Sequence, residues 1–323
     1  MKAALRDRYG SADVVRVEDV PTPEPGGDEV LVRIHAAVVG VVDRVAREGV
    51  PRYARVYFGL LRPRFRLLGS DFAGRVEAVG PAVTQFAVGD EVFGTLAPRF
   101  GAHAEYVCMS QDAALAPKPA RLTYPEAAAL VDTTALVFLR DQARLASGQS
   151  ILVNGASGSV GTGAVQLARH LGAHVTGVCS GPNIDLVERL GADVVLDYTT
   201  IDFTRGGTTY DVVFDVAGKS SFARSRGVLR RGGVYLTTAP SPAILLQMAW
   251  TARFGTHRAR VAFTGLRDAA AKRADLSYLA GLADAGALVP VVDACYPLAD
   301  ILDAHRHVDR GHKRGNVIVT MPG

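Results

Sequence analysis

Three glycines spaced by three, Gly155, Gly158 and Gly161, punctuate the run Ile151-Leu-Val-Asn-Gly-Ala-Ser-Gly-Ser-Val-Gly161. The run passes from an apolar strand into a turn that opens a helix, and that context gives a glycine-rich turn its chemical meaning. Glycine lets the chain turn tightly and lets the backbone approach a phosphate. The first N–H groups of the helix meanwhile point outward with the positive end of its dipole. Such a turn supports the binding of a pyrophosphate. The plainer reading is that the glycines merely end a strand. The spacing is G-x-x-G-x-x-G rather than G-x-G-x-x-G, so the flanking β-α-β rhythm carries the argument for a dinucleotide.

The kind of dinucleotide depends on the end of the second strand. NAD enzymes place an acid there, about 20 residues past the turn, to bind the ribose 2′-hydroxyl. Here that stretch reads Gly177-Val-Cys-Ser-Gly-Pro-Asn183, with no Asp or Glu before Asp185. Ser180 and Asn183 would donate hydrogen bonds to a 2′-phosphate, which points to NADPH over NADH. No Lys or Arg stands in the loop to give that phosphate a charge-assisted partner.

The elements that must position these residues follow in regular alternation. Strand and helix patterns succeed one another at Ser150–Asn154, 159–171, His174–Cys179, 184–190, 193–196, 211–216, 222–229 and 233–238. Continuous apolar strands between amphipathic helices imply an α/β domain with a doubly wound parallel sheet. Val216, Ala217, Thr238 and Ala239 fall at its strand ends, the carboxyl edge where such sheets bind ligands. The first third of the chain is β-rich instead, with alternation at 30–35 and 74–79. A helix is expected over 124–145, its start marked by Pro125. After Gly265 come a helix at 269–285 and a β-rich tail ending in Asn316–Thr320.

Composition narrows the classes. With 323 residues, 48% hydrophobic and 21% charged, the chain is globular and long enough for two domains. Cys108, Cys179 and Cys295 form no CxxC, so neither a disulfide framework nor a cysteine-rich metal site is expected. A net charge of +4, dispersed along the chain, gives no footprint for nucleic acid. The opening MKAALRDRYG lacks an apolar core, and no apolar run approaches the ~18 residues of a spanning helix. A cytoplasmic protein with a small-molecule substrate and no membrane partner is the expectation. His305, His307 and His312 invite a metal, but i, i+2 spacing on a helix turns side chains apart, and a solvated helix end is the preferred reading.

Two stretches carry a family resemblance. Gly69-Ser-Asp-Phe-Ala-Gly-Arg-Val-Glu-Ala-Val-Gly80, followed by Phe86-Ala-Val-Gly-Asp-Glu-Val92, resembles the N-terminal signature of the medium-chain dehydrogenase/reductase superfamily. The glycine turn with Cys179-Ser-Gly-Pro-Asn-Ile-Asp-Leu-Val-Glu-Arg-Leu-Gly-Ala-Asp193 is similar to its zinc-free quinone oxidoreductase-like branch. The resemblance implies a Rossmann dinucleotide-binding domain inserted into a GroES-like β-barrel catalytic domain. Residues 1–124 and 267–323 would form the catalytic domain and 125–266 the NADP-binding domain, with substrate between them. It also implies roles: Thr134 at the nicotinamide, Ser157, Gly158, Ser159 and Val160 beneath the pyrophosphate, Ser180 and Asn183 at the 2′-phosphate, and Tyr198 near the adenosine ribose phosphate. For each serine or threonine, a helix cap or turn is the structural alternative.

In zinc-dependent members a Cys follows the second strand and a His stands in Gly-His-Glu. Here those slots hold Gly40 and Ser70, and Leu130-Val-Asp132 in the third region offers no thiolate, so no zinc is expected. An acceptor polarised by hydrogen bonds alone suits a quinone or α,β-unsaturated carbonyl better than an alcohol. The implied activity is therefore their NADPH-dependent reduction by hydride transfer.

Three departures stand out. Val39-Gly-Val-Val-Asp43 lacks the branch's Asn beside the nicotinamide. Gly315-Asn316 replaces Gly-Lys in the cofactor cleft, leaving Asn316 there. The segment PRYARVYFGLLRPRFR from Pro51 is basic and aromatic, and reads equally as a site for an acidic or large aromatic substrate and as a solvated lid. Tyr53 within it is the one nearby hydroxyl to consider as proton donor.

Two rival readings remain: a biosynthetic cyclase, dehydratase or enoyl reductase using the same fold, and a membrane-surface or partner-binding protein through Ile244-Leu-Leu-Gln-Met-Ala-Trp250. Buried packing of that heptapeptide is the expected outcome. An edge strand near 260–264 predicts a homodimer, because exposed edges tend to be paired.

Overall fold

The computed structural model describes residues 1–322. They divide into two compact units, Met1–Asp132 with the chain from Gly265 onward, and Thr133–Thr264.

In the first unit seven strands precede the break: β1 (Lys2–Leu5), β2 (Arg16–Asp19), β3 (Glu29–Val39), β4 (Asp71–Val79), β5 (Glu91–Thr95), β6 (Tyr106–Ser110) and β7 (Leu115–Pro117). Helices α1 (Val41–Glu48), α2 (Arg55–Phe58) and α3 (Tyr124–Leu130) lie among and after them. The long β3 is the spine. It pairs antiparallel with β4 along most of its length and with β6 over Glu29–Arg33. Val30, Val32 and Ile34 alternate inward and are fully buried with Phe72, as a half-buried strand requires.

Thr123 caps α3. Its backbone N–H donates to Glu126 Oε2 (2.8 Å) while Glu126 N–H donates to its hydroxyl, a reciprocal arrangement that stabilises the helix start by about 1 kcal/mol. The continuous helix expected over 124–145 does not form. α3 stops at Leu130, a short α4 (Thr134–Leu136) follows, and Val137–Ala143 winds as a π-helix. The β-branched and short polar run Val131-Asp-Thr-Thr134 explains the break, since such residues compete with helical hydrogen bonding. α3 packs on β3 and β4 and so belongs to the first unit, which puts the division at Asp132 rather than at residue 124.

The second unit contains β8 (Ser150–Asn154), α5 (Ser159–His170), β9 (His174–Cys179), α6 (Ile184–Arg189), β10 (Val194–Asp197), β11 (Tyr210–Asp215), α7 (Phe222–Ser225), β12 (Leu229–Thr237), α8 (Pro242–Arg253) and β13 (Arg258–Arg260). Its six strands are ordered β10-β9-β8-β11-β12-β13, all parallel. Strand order reverses between β8 and β11, the switch point at which doubly wound sheets bind ligands. The edge strand is Arg258–Arg260 rather than 260–264, and Thr264–Leu266 is a 3-10 turn. On α8 only Ile244, Met248 and Thr251 turn inward. Leu246 and Trp250 are exposed, contrary to the expected burial of 244–250.

The chain returns to the first unit with α9 (Ala269–Asp284), β14 (Val292–Pro297), α10 (Ile301–Arg310) and β15 (Asn316–Thr320), which pairs antiparallel with β3. Arg47 of α1 donates from Nη2 to both oxygens of Asp309 at 2.8 and 2.7 Å, tying α1 to α10. The histidines of α10 are not a solvated helix end. His305 is wholly buried, 5.7 Å ring to ring from His103, and burial holds its pKa well below the ordinary value. His307 lies against Tyr296 and Asp293. The i, i+2 spacing does turn the two rings apart. Among the described residues no helix is long and apolar enough to cross a membrane.

Candidate functional site

The glycine turn leaves β8 at Asn154. Gly155 has φ +92°, and a methyl there would meet Ala217 at 3.0 Å, so this position takes only glycine without strain. A methyl on Gly161 would fall 2.0 Å from the Gly155 carbonyl oxygen, which lets α5 seat directly on the turn. Gly158 differs from both. It is the N-cap of α5, extended at φ −81° and ψ 179°, and the nearest atom to an added methyl is the Gly155 oxygen at 3.5 Å. It brings no capping side chain to the first-turn N–H groups. A helix start whose N-cap brings no side chain, with room at its glycine for a methyl in ordinary contact, fits a phosphate group.

Ser157, Ser180 and Asn183 are brought together beside this turn. Asn183 is buried, and its Nδ2 donates to Ser157 Oγ at 3.2 Å and to Ser180 Oγ at 3.1 Å. Both amide hydrogens are thus committed inside the protein, and since Ser157 is also buried, Ser180 is the more accessible hydroxyl of the set.

The same loop carries an acid that its own sequence does not contain. Parallel pairing sets Asp197 opposite Cys179. Its carboxylate accepts from the Thr199 N–H (2.9 Å), the Thr199 hydroxyl (2.8 Å) and the Gly181 N–H, and these bonds hold its pKa below the usual carboxylate range. Tyr198, half exposed, follows it and donates its N–H to the Cys179 carbonyl (3.0 Å).

At the switch point a buried carboxylate organises the strand ends. Asp215 accepts from Asn154 Nδ2 (2.8 Å), the Tyr235 hydroxyl (3.0 Å) and the Ser220 N–H (2.9 Å), joining β8, β11 and β12. Burial and this carboxylate together raise the Tyr235 pKa. Val216 and Ala217 donate their N–H groups to the Asn154 carbonyl at 3.0 and 3.1 Å. The Thr238 hydroxyl donates to the Val216 carbonyl (3.0 Å), and the Ala239 N–H donates to Thr237 Oγ1 (3.2 Å). Sequence reading put these four residues at strand ends, where they lie, but missed the Asn154–Asp215–Tyr235 brace beside them. The available signal was two polar residues ending strands that read as apolar.

Thr134 opens α4, its hydroxyl 3.2 Å from that of Thr264. Two predicted residues belong to the first unit. Asn316 is buried, with Nδ2 donating to the Val291 carbonyl (3.2 Å), and Tyr53 is half exposed on a 3-10 turn before α2.

The first unit also holds an ionisable cluster that sequence reading did not single out. Asp43 accepts from the Gly40 N–H (2.8 Å) and the Gly69 N–H (2.7 Å), clamping the turns that carry Gly40 and Ser70. Asp71 accepts from Ser70 Oγ (3.1 Å) and pairs with Thr95 across the sheet. Burial, helped by the charges of Asp132 and Asp43, pushes its pKa up to about 7. Burial likewise brings Lys313 down to about 8, against the pull of Asp132 and Asp293.

Comparison with known proteins agrees with this architecture. Residues 26–120 match the alcohol dehydrogenase GroES-like domain family, and residues 190–319 match the zinc-binding dehydrogenase family. The chain is 32% identical to a chloroplastic quinone-oxidoreductase homolog of Spinacia oleracea, over 96% of this chain and 95% of that protein. It is 31% identical to a chloroplastic NADPH-dependent alkenal/one oxidoreductase of Arabidopsis thaliana, over 99% of this chain and 79% of that protein. The quinone oxidoreductase structure from Coxiella burnetii superposes with a TM-score of 0.88 at 28% identity, covering 100% of this chain and 99% of that one.

Proposed function

Because the chain belongs to the medium-chain dehydrogenase/reductase superfamily, in its quinone oxidoreductase-like branch, we propose that it reduces quinones and α,β-unsaturated carbonyls with NADPH. A bound reduced nicotinamide supplies the hydride, and the protein's own residues bind, orient and manage protons.

The observation that carries this reading is the first turn of α5, where Gly158 at the N-cap brings no side chain over the helix start. Ser157, Ser159 and Val160 flank the pyrophosphate in this assignment. Ser180 and Tyr198 meet the 2′-phosphate, with Asn183 fixing the first. Thr134 lies at the nicotinamide, and Val216, Ala217, Thr238 and Ala239 form the strand-end wall. Asn316 keeps its place in the set by kinship, its amide being committed to Val291. The preference for NADPH over NADH rests on these hydroxyls and works against the Asp197 carboxylate.

We read the enzyme as zinc-independent. A catalytic zinc takes three protein ligands, and Gly40, Ser70 and Asp132 offer one carboxylate among them. Among the described residues no group of three or more His, Cys, Asp or Glu is placed to hold a metal ion. The acceptor oxygen is then met by hydrogen-bond donors alone. Tyr53 is the assigned proton donor, with Asp71 a second acid of the same unit. A homodimer is supported by the edge position of β13 and by exposed Leu246 and Trp250 on α8, which packs against it. A cytoplasmic location is supported by three free cysteines, as expected where thiols stay reduced.

Fluorescence titration with NADPH and NADH, followed by turnover against a panel of quinones and enones and by metal analysis, tests the reading. Tight NADPH binding with enone or quinone turnover is expected from metal-free protein. NADPH binding without oxidation against the whole panel overturns the redox assignment, and stoichiometric zinc overturns the metal-free one.

A further inference from the structure

The segment between Gly49 and Ser70 contains Arg52, Arg55, Arg62, Arg64 and Arg66 and no acidic residue. Its outermost side chains are aliphatic: Leu61 is 92% exposed, Val56 80% and Leu60 68%. Exposed apolar side chains are ordinary when scattered, but Leu60 and Leu61 at one bend, with Val56 on the short helix before it and only basic charges in the segment, are not.

The base of the loop is built to present this tip. Phe58 is buried edge-on against Phe100 (5.8 Å between centroids), and Phe65 packs on the same ring at 5.4 Å. The Tyr57 hydroxyl donates to the Pro98 carbonyl, the Tyr9 hydroxyl to Gly59 O (2.5 Å), and the Arg64 N–H to Phe58 O (2.7 Å). Gly59 has φ +113°, and a methyl there would lie 2.1 Å from the Arg62 carbonyl oxygen. The chain therefore doubles back tightly between Gly59 and Arg62, and Leu60 and Leu61, caught at the bend, have no core to enter.

The arginines divide in the same way. Arg66 is paired with Asp7, while Arg55 donates to the Gly49 carbonyl (3.0 Å) and lies over the Tyr9 ring. Arg52, Arg62 and Arg64 are exposed and have no carboxylate partner among the described residues. We propose that this loop docks the protein on an anionic phospholipid surface, with Leu60, Leu61 and Val56 entering the headgroup–acyl boundary and Arg52, Arg62 and Arg64 engaging lipid phosphates and carboxylates. Arginine suits that position because its stem stays in apolar surroundings while its guanidinium reaches the headgroups. A second copy of the chain fits less well, since a two-fold contact would oppose like-charged arginines. This inference goes beyond the proposed redox activity, and vesicle binding is read without substrate, so each can fail alone.

The test is co-sedimentation of the full chain with neutral phosphatidylcholine vesicles and with vesicles of about 30% phosphatidylserine. Binding to the anionic vesicles alone, released by high salt, is expected. The Leu60→Ser/Leu61→Ser variant should lower the partition coefficient by about tenfold or more. The Arg52→Gln/Arg62→Gln/Arg64→Gln variant should lower it by about fivefold per charge. Both variants should keep the wild-type circular dichroism and NADPH affinity, which separates lost docking from lost folding. No binding to anionic vesicles at low salt overturns the proposal, as does binding indifferent to lipid charge or unchanged in both folded variants. So does a wild-type dimer, seen by light scattering without vesicle binding, that becomes a monomer on the leucine substitutions.

Discussion

Gly158 and Gly161 stand three residues apart in one turn, yet the structure gives a methyl at each an opposite consequence. At Gly161 an added Cβ falls 2.0 Å from the Gly155 carbonyl oxygen, against an ordinary contact of 3.4–4 Å, so turn and helix must separate by more than an ångström. Overpacking of this kind costs about 1–3 kcal/mol, offset by up to about 1 kcal/mol of improved helix propensity. Gly161→Ala should therefore lower the melting temperature of the free protein by about 1–4 °C.

At Gly158 the backbone is extended and the nearest atom is at 3.5 Å, so alanine fits the free protein. It should leave stability unchanged or raise it by up to about 1 kcal/mol through the unfolded state. Its methyl, however, occupies the approach to the uncapped helix start, and NADPH affinity should fall by about 10- to 100-fold, or about 1.4–2.7 kcal/mol. Thermal unfolding by circular dichroism without cofactor, paired with NADPH fluorescence titration, reads both effects. If Gly158→Ala binds NADPH within about twofold of wild type, the coenzyme does not rest on this turn. If Gly161→Ala melts with the wild type, the packing argument is wrong.

Asp215→Ala strips the acceptor from the buried Asn154 amide and Tyr235 hydroxyl, and should destabilise by about 3–5 kcal/mol in urea titrations, more than Asp215→Asn. An Asp215→Ala midpoint matching the wild type would mean the brace carries no load. Asp71 is held neutral in the folded state up to about pH 7, against an ordinary carboxyl near 3.8. The stability contributed by Asp71 should thus be fully present below about pH 4, fall as pH rises toward 7 and be gone above it, because only the unfolded chain releases the proton in that window. Urea midpoints across that range should slope for wild type and lose that slope in Asp71→Asn; an unchanged slope would place its origin elsewhere. Asp197→Asn removes a negative charge from the Ser180 loop and should tighten NADPH several-fold while leaving NADH nearly unchanged. Equal effects on the two would mean the 2′-phosphate does not lie there.

The sequence by itself determined the local features. Glycine spacing after an apolar strand marked the turn that opens α5, and the alternation of apolar runs with helical patterns marked the parallel sheet. Both are short-range signals, written within one supersecondary unit. Ser157, Ser180 and Asn183 were legible for the same reason, although their mutual bonding was not. Only the tertiary structure brought Asp197 beside Ser180, because parallel register, not chain proximity, sets residue 197 against residue 179. It alone assembled Asn154, Asp215 and Tyr235 from three strands and placed His305 in a core that its helix position had seemed to deny. Packing likewise decided that Phe58 would go inward and Leu60 and Leu61 outward, although all three are equally apolar in the sequence. Burial belongs to the neighbours a side chain finds, and those come from distant parts of the chain.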